Sequence, residues 1–216
     1  MIVSETLANT TRAAHDVGLA AWLGGAMFGK LAHNPSLERI SNHSERGSVS
    51  NAAWNGYNPV NALGLGAAAL GWGAARLTET RPSNLSGTEK GLSRAKDALM
   101  AVAVLSGVSS GVQGARLARQ APDGAVPVET GTKPAVETPA KAARIQRSLA
   151  LLGNLNIASG VALVAVNGVL AQTNHSRPPA RRALTRSRST GASPLWIGSA
   201  VATATAALDQ ARRTLA

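Results

Sequence analysis

His15 and Asp16 stand side by side ahead of a charge-free run over residues 17–29, and they are the first pair in the chain with the makings of acid–base chemistry. On a helix, neighbouring side chains diverge by about 100°, so the two do not face each other. Arg12, three and four residues earlier, reaches both; the expected arrangement is a polar helix start with Asp16 near the positive end of the dipole and an Arg12–Asp16 ion pair. The functional alternative makes His15 a proton-relay or axial-ligand residue at a membrane boundary. Asn156 and Asn167 lie eleven residues apart, close to three helical turns, and share a face with Gly160 between them. Asn61, Gln113 and Ser110 are the candidate partners on other helices. Interhelical hydrogen bonding is the expected role, and a polar path for an ion or small solute the alternative.

The remaining candidates carry less. His33, Glu38 and His43 share one loop at a spacing that matches no metal-ligand pattern, so no metal is expected. The absence of cysteine excludes disulfides, thiolate metal sites, iron–sulfur clusters and thiol catalysis. "GLGAAALGWG" matches no phosphate-binding loop, and neither a nucleophile elbow nor a metalloprotease helix motif occurs. No catalytic residue and no cofactor is therefore expected.

The elements that position these residues are set by composition. Apolar residues make up 44% of 216, yet there is one Phe and one Tyr, and Ala, Gly, Val and Leu supply most of the apolar content. A soluble core of this size normally buries more aromatic bulk. Small residues instead allow the close backbone approach on which membrane helices depend. Four stretches are long, apolar and poor in charge, placing spans at about 13–32, 57–77, 97–117 and 149–172; a helix needs roughly 20 residues to cross a ~30 Å hydrocarbon layer. The first is the shortest in purely apolar length, and the fourth the strongest. A cleavable signal peptide is disfavoured for the first, because Asp16 opens the run and no Lys or Arg precedes Arg12. Gly25 and Gly29 on the first span, and Gly107 and Gly111 on the third, are the expected packing glycines.

Between the spans lie a polar loop over 34–56, where Pro59 suits the first turn of the following helix, and a turn-rich connector, "TETRPSNLSGTEK". A linker over 120–140 holds four prolines and two copies of "VET", and is expected to be extended and mobile. Residues 1–176 thus form a bundle, 177–192 an arginine-rich cytoplasmic linker, and 193–216 a C-terminal helix that lies on the membrane or crosses it. The formal net charge is +11. Arg177, Arg181, Arg182, Arg186 and Arg188 are placed to bind anionic lipid headgroups, and the distribution of Lys and Arg favours both termini inside.

"AHDVGLAAWLGGAMFGKLA" followed by "ERGSVSNAAWNGYNPVNALGLGAAALGWGAAR" resembles the opening half of small multi-pass integral-membrane proteins of unassigned function from high-GC actinobacteria. The resemblance implies a bundle of spans in the cytoplasmic membrane and supplies no functional residues. The sequence therefore predicts an all-α integral membrane helical bundle of four transmembrane helices plus a C-terminal helix, in the cell membrane. Its expected role is non-enzymatic, an accessory or scaffold protein whose small-residue faces pack on a second copy or a larger membrane complex. A transporter of an ion, proton or small solute is the alternative. A soluble nucleic-acid binder would explain the charge but not the charge-free runs, and no nucleic-acid partner is expected.

Overall fold

The computed structural model describes residues 5–78, 80, 82 and 85–175. The chain divides into two units, 1–173 and 174–216; the arginine cluster 177–188 and the C-terminal helix expected over 193–216 lie outside the described residues. The first unit is built from α1 (Glu5–Phe28), a π-helical turn (Gly29–His33), the short α2 (Asn34–Ser36), α3 (His43–Leu77), α4 (Gly87–Ala118), a two-stranded antiparallel hairpin of β1 (Val128–Thr130) and β2 (Lys133–Pro134), and α5 (Ala140–His175).

Local chemistry explains the helix starts. Asn42 caps α3, its side-chain oxygen accepting from the amides of Ser44 and Glu45 at 2.9 and 3.1 Å. Ser86 and Glu89 form a reciprocal capping box that opens α4. The Asn42 cap moves the start of α3 well ahead of the expected span, so most of the loop predicted over 34–56 is helix. Pro59 consequently lies inside α3 rather than in its first turn; the proline cannot return a hydrogen bond to the Asn55 carbonyl, and a helix this long absorbs the loss.

The linker expected to be extended over 120–140 is folded. Asp123 and Gly124 take positive φ (53° and 66°) and turn the chain back. The hairpin then buries Val126 and Val128, while the Thr138 hydroxyl donates to the Pro127 carbonyl at 2.6 Å. Two valines with somewhere to bury outweigh the extended bias of four prolines.

The four long helices pack antiparallel in a ring. Gly18 meets Gly64 where α1 and α3 run closest, and on the same pair Gly25 lies against Tyr57 and Gly29 against Trp54. Leu65 of α3 packs on Gly107 of α4, Asn156 of α5 bonds Ser106 of α4, and Gly160 of α5 rests on Leu23 and Trp22 of α1. Every helix contributes to one core: Leu19 and Trp22, Leu65, Ala68 and Trp72, Met100 and Ala103, Leu163 and Leu170.

The outward faces are apolar as well. Leu63, Leu70, Leu105 and Leu151 are 75, 77, 69 and 62% exposed. Two helices, α4 and α5, are long and apolar enough to cross a membrane, and only 17 and 22% of their apolar stretches is buried within the protein. A core helix of a soluble protein is covered on such a face; these are not.

Gly18→Leu would drive a side chain into the Gly64 backbone, whereas the same change at Gly24 meets open space. Thermal unfolding of the purified chain in detergent is expected to show G18L destabilised by about 1–3 kcal/mol or more and G24L unchanged or slightly more stable. Equal effects would contradict this α1–α3 register.

Candidate functional site

At the end of the bundle formed by the start of α1 and the start of α4, a lysine is buried among four helices. Lys96 is 2% exposed. Its Nζ donates to Asn167 Oδ1 of α5 at 2.6 Å and lies 4.2 Å from the centre of the Trp72 ring of α3. Asn167 Nδ2 in turn donates to Asp16 Oδ1 of α1 at 2.9 Å. The edge of the same tryptophan is used too: Trp72 Nε1 donates to Asp97 Oδ1 at 2.8 Å, and Arg76 closes on Asp97 Oδ2 at 3.1 Å. The Asp16 and Asp97 carboxylates are the acidic groups that act on the ammonium. One turn away His15 is buried, its Nδ1–H donating to the Ala68 carbonyl at 2.5 Å; because a carbonyl can only accept, this bond fixes where the ring carries its proton.

Above this plug the bundle opens into a cavity of about 660 Å³, within the usual ~300–1,000 Å³ range of small-molecule sites. Its floor is Trp22, Leu65 and Asn156; the last accepts from Ser106 Oγ at 2.5 Å and donates to Ser110 Oγ at 3.2 Å. Its wall is one face of α3, where Asn51, Asn55, Asn58 and Asn61 recur at intervals of four, three and three residues. Gln146 of α5 also lines it, fully buried, with neither carboxamide atom partnered within the protein; Asn61 Oδ1 is likewise unpartnered. The π-helical turn at the end of α1 sets Lys30 at the rim, its Nζ donating to Asn154 Oδ1 at 2.6 Å.

The hairpin caps the opening, with Val126, Val128, Gly131 and Thr132 facing the cavity. Arg46 ties it down, donating to the carbonyls of Glu129 (2.7 Å), Ile40 (2.6 Å) and Glu38 (3.2 Å). The glutamates of the two "VET" copies converge on His43: Glu137 Oε1 accepts from Nδ1 at 2.5 Å, and Glu129 Oε2 lies 3.9 Å from Nε2.

The residues singled out from sequence thus fall in different places. His15 and Asp16 point to different helices, as their angular separation requires; Arg12 donates to Asn9 at 2.9 Å, and Asp16 accepts from Asn167. Asn156 and Asn167 both bond to α4, the first at the cavity floor and the second in the plug. Asn61 lines the cavity and Gln113 is half-buried on α4. Gly25, Gly29 and Gly107 are packing glycines, whereas a side chain at Gly111 would meet nothing within 4 Å and would enter the cavity. His33 stacks edge-on to Trp54 at 6.1 Å, and the described residues contain no cluster of metal-binding side chains. Sequence reasoning missed Lys96, Asp97, Trp72 and Gln146. It also missed the asparagine face of α3, whose signal was the helical spacing of 51, 55, 58 and 61, hidden by placing residues 51 and 55 in a loop. No protein-family model, no curated protein and no solved structure matches the chain.

Hydrogen bonds from its own backbone amide and then from His43 hold the exposed Glu137 carboxyl below the usual carboxylate range. A carboxyl group depressed on folding adds stability above its unfolded pKa and loses it as pH falls through the folded one. Hydrogen-exchange protection of the hairpin amides, corrected for intrinsic rates, should be flat from neutral pH to the ordinary carboxylate range and decline below it. Glu137→Gln should shrink that decline; an identical acid-side profile in the variant would contradict the tether.

Proposed function

We propose that the chain is a non-enzymatic, multi-pass membrane protein in which α1, α3, α4 and α5 all cross the bilayer, and that its bundle holds a small solute in the capped, carboxamide-lined cavity. The observation that carries this reading is the conjunction of lipid-compatible outer faces with an inner wall of asparagines. Exposed leucines suit hydrocarbon, whereas carboxamides are tolerated in a membrane bundle only where they face a partner or a wet interior. The cavity is floored by Trp22, Leu65 and Asn156, with the packed core and the Lys96 network beyond them, so the arrangement is a vestibule entered from the capped end, a form shared by solute receptors and by transporters closed on one side.

The scaffold role has less support. Of the four glycines on which it rests, Gly25, Gly29 and Gly107 face residues of this bundle and are used within the chain, and Gly111 meets nothing within 4 Å. By the distribution of Lys and Arg, the cap lies on the outer side, with the α3–α4 connector, the start of α1 and the end of α5 on the cytoplasmic side.

The cysteine-free sequence gives a clean background for thiol chemistry. The chain is expected to stay in the membrane fraction through high-salt and carbonate washes. In intact cells, Asn58→Cys should react with a small water-soluble thiol reagent applied from outside, while Ala68→Cys, in the core, should not. Recovery in the soluble fraction, or an unreactive thiol at position 58, would overturn the reading.

A further inference from the structure

We infer that the cavity is a binding site for a neutral polyhydroxylated group, a sugar or polyol ring. The inference rests on the reading of the cavity as a solute site and specifies what enters it. Gln146 is the strongest pointer: it is fully buried, lines the cavity, and has both a donor and an acceptor without partners in the protein. A buried donor or acceptor left unpaired is destabilising, so a hydrocarbon occupant would leave that cost standing. A carboxamide presents one donor and one acceptor side by side in a plane. Two adjacent hydroxyl groups present the complementary pair, each able to give and to accept.

The asparagine face of α3 repeats this two-way group along the wall, spanning about 15 Å from Asn51 to Asn61 at 1.5 Å per residue. Charge narrows the class further. Among the described residues, no carboxylate lines the cavity, and its one cationic group, Lys30, already donates to Asn154. A cation finds no counter-charge there, and a polyanion finds a single ammonium at the rim. Ser110, Thr132 and Asn156 add further neutral polar groups, and most of the remaining lining is apolar, including the indoles of Trp22 and Trp54, which suit the C–H faces of a ring whose hydroxyl groups point outward to the carboxamides. The same ring chemistry comes from two sources, a free sugar or polyol in solution or the headgroup of a neutral glycolipid.

The test uses the full chain in phosphatidylcholine nanodiscs. Tryptophan fluorescence and calorimetry would follow titration with glucose, with myo-inositol, and with a diacyl monoglucosyl lipid added to the discs; putrescine and citrate serve as charged probes. The expected result is a saturable response to a neutral probe that weakens about tenfold or more in Asn61→Leu and in Gly111→Leu, with unchanged unfolding temperatures. Gly111 lines the cavity and a Cβ there meets nothing within 4 Å, so with an unchanged unfolding temperature Gly111→Leu reports occupancy and not misfolding. A response to the free sugars assigns the solution source, and one to the glucosyl lipid alone assigns the headgroup; both support the inference. Silence of every neutral probe, equal responses in all variants, or saturable binding of putrescine or citrate alone would overturn it. A reactive thiol at position 58 together with such a negative result removes only the ligand class, whereas an unreactive thiol there removes the vestibule as well.

Discussion

The arrangement depends on how one buried ammonium is accommodated. Lys96 sits in a bundle whose outer surface is leucine and valine, where an unpaired charge costs several kcal/mol. Its partners are on other helices: the face of Trp72 on α3, the carbonyl of Asn167 on α5 and, through Asn167, the carboxylate of Asp16 on α1. None can be supplied by α4 alone except Asp97, which is committed to Trp72 and Arg76. A helix shift or rotation that separated Lys96 from any of these would leave the buried charge without that partner. The network therefore fixes register where a core built from alanine, glycine and leucine specifies it poorly, a role best attested for polar groups in helical bundles.

With that end locked, the distribution of bulk decides the shape of the other. Large core side chains, among them Leu19, Trp72, Met100, Leu163 and Leu170, gather around and below the middle of the bundle. Toward the hairpin the facing positions are small: Gly111 and Gly114 on α4, Ala150 and Gly153 on α5. Helices held apart by the lower core and given nothing to fill the upper half enclose a cavity there. The hairpin then covers it, anchored by a single guanidinium on three carbonyls and by two glutamates on one imidazole. The two attachments differ in kind. Arg46 is buried and donates to backbone carbonyls, while the His43 contacts are side-chain pairs nearer the surface.

How much of this was legible depends on the scale of the signal. The all-helical class and the apolar character of α4 and α5 were read directly, because a long charge-free run has few other outcomes. The asparagine pair on α5 was correctly placed on one face, and Ser110 correctly named as a partner of Asn156, since three turns of helix leave little freedom. The failures were nonlocal. Residues 34–56 contain enough Ser, Asn and Gly to read as loop, and only the Asn42 cap, followed by packing of Trp54 and Tyr57 on α1, reveals the helix. The proline-bearing linker reads as extended until Val126 and Val128 find a surface to bury against. Lys96 lies at the edge of a charge-free run, where the sequence shows only its charge; its burial follows from Trp72 and Asn167, 24 and 71 residues away in sequence.

The Lys96–Asn167 interaction couples α4 to α5 and holds the bundle in register. A double-mutant cycle on reversible unfolding in detergent, with Lys96→Met, Asn167→Leu and the pair together, tests it most directly. The predicted result is that each single change is destabilising and that the pair falls short of their sum by about 1–3 kcal/mol, the range of a hydrogen bond to a charged group. Effects that add to within about 0.3–0.5 kcal/mol would show that the two side chains act independently, and would contradict it.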